Sequence, residues 1–141
     1  MHTKQRAYLT FLGTLVVGAK LEMGRTEEVL NLLDEIEQLS IETHQQMFIP
    51  DLHRLRAEAL RRLDRRHEGI EQQYRLALRI ARQQGAPALE LRAATGLASW
   101  FAEAARCKEA HDLLRPVYDK FTEGLGTRDL KTARMLLDQL A

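Results

Sequence analysis

Apolar residues return at helical spacing along most of this chain, and the clearest stretch runs from Tyr74 to Phe121. Beyond Pro87, Ala94, Leu97, Ala98 and Phe101 share one side of a helix, and Leu89, Ala93, Gly96 and Trp100 share the adjoining side. Arg92, Thr95, Ser99 and Glu103 draw a narrow polar line opposite. The small residues Ala93, Ala94, Gly96 and Ala98 allow a neighbouring helix to come close. Gly85-Ala86-Pro87 separates this helix from the one before it: glycine suits the left-handed residue that closes a helix, and proline suits the first turn of the next. After a break at Ala105-Arg106, the residues Ala110, Leu113, Leu114 and Val117, joined by Tyr118 and Phe121, supply the apolar face of a return helix.

The hairpin recurs. Moving the return helix back by 40 residues sets Ala110, Leu114 and Val117 on Ile70, Tyr74 and Ala77, and a further 41 sets them on Val29, Leu33 and Ile36. The turn before each triplet falls in register at Gly24, Arg65 and Ala105. Helix-turn-helix units that repeat at about 34 to 45 residues mark an α-solenoid, in which no unit buries its apolar face without a neighbour. The pattern predicts an all-α domain over residues 1–141, with three helical hairpins at roughly 4–40, 44–84 and 87–123 and a capping helix at 128–140, about seven helices in all.

Local signals place the remaining boundaries. Thr26 followed by Glu27 and Glu28 predicts a helix start with acids in the first turn, where the dipole favours them, and that helix runs to about Ser40. Ile41 to Ile49 mixes linker and helix entry. A third helix, with Pro50 in its first turn, continues to Leu63 and stops at the turn Asp64-Arg65-Arg66. The fourth covers His67 to Gln84, and Pro116 is expected to kink the sixth. Thr127 starts the last helix, which carries Leu130, Ala133, Leu136, Leu137 and Leu140.

At the amino terminus, Lys4 and Arg6 precede the apolar run Ala7 to Ala19, and Val17-Gly18-Ala19 has the outline of a leader cleavage site. Against that, Leu9, Leu12, Val16 and Ala19, with Phe11 and Leu15, fit the first helix of a hairpin whose partner follows Gly24. The run falls short of the roughly 20 apolar residues that span a bilayer, so no membrane partner is expected. Its apolar character predicts a preceding repeat or self-association through this first helix, since terminal repeats present a polar outer face.

The run Ala77-Leu78-Arg79-Ile80-Ala81-Arg82-Gln83-Gln84-Gly85, with Leu89-Glu90-Leu91-Arg92-Ala93-Ala94-Thr95, Pro116-Val117-Tyr118, Phe121-Thr122-Glu123-Gly124 and Asp129-Leu130-Lys131, is followed by Ala133-Arg134 and Leu136-Leu137-Asp138. Together these segments resemble the C-terminal tetratricopeptide-repeat (TPR) region of large bacterial predicted ATPases, many of them fused to class III adenylate or guanylate cyclase domains or to DNA-binding regulator domains. The likeness is dense from Leu52 to Leu140 and looser before that. It implies a TPR-like superhelix whose first helices line a concave groove, acting as the sensor tail of a longer cytoplasmic signalling protein. The chain departs from the family at Ala105, where glycine is usual, at Asp119-Lys120, where an aromatic residue is usual, and in having no nucleotide-binding or cyclase domain within these residues. The alanine is expected to cost about 1 kcal/mol where that position requires positive φ.

Composition narrows the function without naming it. A 45% apolar share among 141 residues is enough for a continuous core, and a net charge of +1 says nothing about partners. One cysteine, Cys107, forms no internal disulfide, in keeping with a reducing cytoplasm. No phosphate-binding loop, dinucleotide fingerprint, G-x-S-x-G elbow or metal-ligand spacing of histidines is present, so neither a catalytic residue nor a cofactor or metal site is expected. Nine arginines fall between Arg54 and Arg82, at 54, 56, 61, 62, 65, 66, 75, 79 and 82, which raises a polyanion or nucleic-acid reading. Pairing with Glu58, Asp64, Glu68 and Glu71 on solvated helix faces explains them more simply.

Moving Arg92, Thr95, Ser99 and Glu103 back by 41 residues gives Asp51, Arg54, Glu58 and Arg62, a second polar line on the equivalent helix, which Thr10 and Thr14 extend less securely. Mixed charge along a groove suits a peptide or partner helix. The expected function is therefore a non-catalytic protein-interaction and regulatory module, with nucleic-acid binding by the arginine-rich hairpin and small-molecule sensing in the groove as alternatives.

Overall fold

The computed structural model describes residues 15–141. Within them the chain is all-helical: α1 over residues 15–22, α2 Thr26–Glu42, α3 Ile49–Leu63, α4 Gly69–Gln84, α5 Pro87–Glu103, α6 Cys107–Asp119 and α7 Arg128–Leu140. Lys4, Arg6, Leu9, Leu12, Thr10 and Thr14 lie outside the described residues.

Most ends fall where the sequence predicts. The α2 helix starts at Thr26 with Glu27 and Glu28 in its first turn, as the sequence predicts; the residue before it, Arg25, holds the cap position and makes no side-chain capping bond. Thr127 does cap α7, its hydroxyl accepting from the Leu130 N–H at 3.5 Å. The α6 helix runs through Pro116 to Asp119.

Four of the helices finish in one way. After α1, α2, α4 and α5 the chain turns left-handed at Gly24, His44, Gly85 and Ala105, with φ of 78°, 55°, 64° and 60°. In each case the next N–H reaches back to a carbonyl five residues earlier, as in Arg25 to Lys20, Gln45 to Ser40, Ala86 to Ala81 and Arg106 to Phe101. This double closure satisfies carbonyls that a helix end otherwise leaves orphaned. The α3 helix ends differently, on extended Asp64.

Each described helix from α2 onward packs on the next, and α3 meets α5 as α5 meets α7, while the backbones of the even-numbered helices stay apart. The odd-numbered helices thus form one layer and the even-numbered ones a second. Their buried faces are the three sequence triplets: Val29, Leu33 and Ile36; Ile70, Tyr74 and Ala77; Ala110, Leu114 and Val117. Apolar contacts divide into two clusters. One joins Val17 and Leu21 to α2 and to Leu52, Leu55 and Ala59 of α3, and the other runs from Ala57 of α3 through α4, α5 and α6 to Leu137. Gly96 is what lets α5 lie against Tyr74, since a Cβ there would come within 2.5 Å of the ring.

Candidate functional site

The odd-numbered layer encloses a cleft of about 760 Å³, bordered by Leu15, Gly18, Ala19 and Glu22 of α1, by α3 and α5, and by Thr127, Arg128, Asp129 and Thr132 at the start of α7. Six of the eight residues on the two predicted polar lines reach it: Asp51, Arg54, Glu58, Arg92, Thr95 and Ser99. Arg92 meets Asp51 near the starts of α5 and α3, and Ser99 and Glu103 meet Arg61 near their ends, so these two helices run the same way and positions about 41 apart fall side by side.

Ion pairs run across the cleft floor from α3 to α7. Arg54 donates to Asp51 at 3.1 Å and to Glu58 at 2.9 Å. The other oxygen of Asp51 accepts from Arg92 at 3.1 Å, and the Arg92 Nε donates to Asp129 at 2.8 Å. Burial opposes the charge on Arg54, but Glu58 and Asp51 more than offset it and hold the guanidinium above its ordinary value. Arg92 is held high likewise, with burial opposing and Asp129 and Asp51 prevailing. Asp51 is buried among these partners, whereas the Arg92 side chain keeps 40% of its surface and Asp129 36%.

At the other end of α3 the two predicted lines need correcting. Arg62 does not border the cleft; it donates to the Leu21 carbonyl at 2.7 Å and lies 3.5 Å from Glu22, so it caps the end of α1. Its neighbour Arg61 takes the cleft position. At roughly 100° per residue the two flank the line through Asp51, Arg54 and Glu58 about equally, and the neighbouring helices decide which way each leans. Arg61 leans toward α5, donating to Tyr74 Oη at 3.1 Å and pairing with Glu103 at 2.9 Å. Glu103 is therefore a partner of Arg61 and does not line the cleft. Burial pushes the Tyr74 phenol up to about 12, with Arg61 pulling the other way. Arg128 and Asp129 of α7 complete the cleft, and the sequence marks them only as the start of a closing helix, although α7 occupies the next place in the same layer.

Of the nine clustered arginines, Arg54, Arg56, Arg61, Arg62, Arg75 and Arg82 each meet a carboxylate. The guanidinium groups of Arg65, Arg66 and Arg79 pair with no carboxylate among the described residues, although the Arg66 backbone N–H donates to Asp64 Oδ1 at 3.0 Å. Trp100 and Phe101 are packing residues: the Trp100 indole N–H donates to the Arg65 carbonyl at 3.1 Å, and the Arg106 guanidinium stacks 4.1 Å from the Phe101 centroid. Cys107 is exposed at the start of α6. Among the described residues no group of three or more histidine, cysteine or acidic side chains is placed to hold a metal, and no helix is long and apolar enough to cross a membrane. Comparison of the chain with protein-family models, curated proteins and solved structures finds no match.

Proposed function

We propose that this chain is a TPR-like α-solenoid module that captures an extended segment of a partner protein in the cleft between α1, α3, α5 and α7, and that it serves regulation rather than catalysis. The observation that carries this reading is the cleft itself. It is large enough for a short peptide, one border carries the apolar Leu15 and Leu55, and the floor presents fixed charges and the hydroxyls of Thr95 and Ser99. The repeat spacing, the buried triplets and the two-layer packing support the solenoid assignment. The resemblance to sensor tails supports a role in which capture is passed to a neighbouring domain of a larger cytoplasmic signalling protein. A polyanion reading draws less support, because most of the clustered arginines are already committed to carboxylates.

The test is fluorescence polarisation with a library of labelled hexapeptides. Peptides that bind the unaltered chain should lose binding to Ser99→Trp, which fills the cleft floor, and keep it with Arg79→Trp on the exposed face of α4. Binding that survives Ser99→Trp in a protein with unchanged helical content removes the cleft from the account.

A further inference from the structure

Resting on that reading, we propose that Arg92 is the donor that binds a peptide carboxylate and that Asp129 occupies it in advance as an internal substitute, so that an acidic ligand binds by displacing the start of α7. Four observations carry this. Among the described residues that line the cleft, Arg92 is the one tied to both flanking helices, reaching Asp51 on α3 and Asp129 on α7. Its two carboxylate partners are unequal: Asp51 is buried and takes Arg54 with its second oxygen, whereas Asp129 is part exposed and its second oxygen has no partner among the described residues. The replaceable contact is therefore the one to Asp129. Among the described residues the remaining Arg92 nitrogen, Nη2, has no acceptor, and the exposed Arg128 guanidinium beside the cleft has none either. An incoming carboxylate thus exchanges one charge-assisted pair for another and gains unused donors.

The occupant is specified by what it replaces. A single carboxylate matches the group already held there. A phosphate dianion brings a second charge within reach of Asp51, which sits 3.1 Å from the same guanidinium and stays. Leu15, Gly18 and Ala19 on the facing helix suit an apolar residue beside the acid. The ligand is thus an acidic peptide with an apolar neighbour to its glutamate or aspartate.

The exchange makes a prediction that a merely structural Asp129 does not: weakening the internal pair strengthens binding. The probes are paired hexapeptides identical but for glutamate or glutamine at one position, measured by fluorescence polarisation. Asp129→Asn is expected to tighten the glutamate peptides about three- to tenfold, Arg92→Gln to weaken them at least tenfold, and neither to change the glutamine twins by more than about twofold. In the unaltered protein, saturating glutamate peptide should speed hydrogen exchange at the amides of residues 130–134. Circular dichroism melts establish that the variants are folded, and Asp129→Ser serves as a second variant should the asparagine restore the hydrogen bond. Folded Asp129 variants that bind the glutamate peptides no more tightly overturn the exchange. If Ser99→Trp still abolishes peptide binding in that case, the cleft stands and only the exchange falls. Absence of binding by every peptide overturns both.

Discussion

Ala105 offers the sharpest test of how this chain is built. It holds φ of 60°, a conformation in which its Cβ crowds the following carbonyl, and it does so because Arg106 N–H must reach Phe101 O at 2.8 Å to close α5. An L-residue in that well costs about 1–2 kcal/mol. Glycine removes the crowding but gives back about 0.5–1 kcal/mol through the greater freedom of the unfolded chain. Ala105→Gly is therefore expected to stabilise the protein by about 0.5–1 kcal/mol. For a chain of this size the melting midpoint should rise by about 2–4 °C.

The mirror experiment lies one helix earlier. Gly85 holds φ of 64° in the same closure, and a Cβ built on it meets nothing within 4 Å, so Gly85→Ala carries only the conformational cost. It should lose what Ala105→Gly gains. Urea unfolding followed by circular dichroism measures both, with unchanged slopes showing that the unfolded states are comparable. An Ala105→Gly that is neutral or destabilising, beside a Gly85→Ala that costs nothing, refutes the claim that one closure governs these helix ends.

Other expectations follow from the same packing. His44→Gly should also stabilise, by less than Ala105→Gly, since histidine tolerates the left-handed well better than alanine; the same urea series measures it. Gly96→Ala should destabilise by about 1–2 kcal/mol, because overpacking against the Tyr74 ring outweighs the gain in helix propensity, and Tyr74→Leu should relieve much of that loss in a double-mutant cycle. The Tyr74 phenol, raised from 10.0 to about 12 by burial, keeps its proton in the folded state at a pH where the unfolded chain has lost it. Its contribution is intact below pH 10 and is lost as pH rises toward 12, by about 1.4 kcal/mol per pH unit at most; in Tyr74→Phe this loss should be missing from urea melts over that range.

Much of the fold was legible because it rests on local and periodic signals. Val29, Ile70 and Ala110 could be paired from spacing alone, since each opens the buried face of a return helix, and Gly85 announced its own helix end. His44 did not, because nothing in histidine itself requests positive φ; only the neighbouring turn, with Gln45 N–H bonded to Ser40 O, imposes it. The cleft was half legible. Asp51 and Arg92 were matched by the repeat offset and do pair. Arg61 and Arg62 flank the polar line almost equally, so choosing between them needs the positions of Glu103 and Leu21 on two other helices. Asp129 was invisible for a related reason: it matters only through its contact with Arg92, which no periodicity within α7 reveals.

The two apolar clusters give α3 a particular role. Leu52, Leu55 and Ala59 belong to the core shared with α1 and α2, while Ala57 belongs to the core that continues through α7, so α3 is the seam between them. Asp51, Arg54 and Glu58 lie on the remaining face of that same helix and form the cleft floor. In the proposed complex a ligand seated there touches the seam and, through Arg92, the far end of the second core at Asp129. The ionic chain from Asp51 on α3 through Arg92 on α5 to Asp129 on α7 ties the helix at the seam directly to the last helix of the second core.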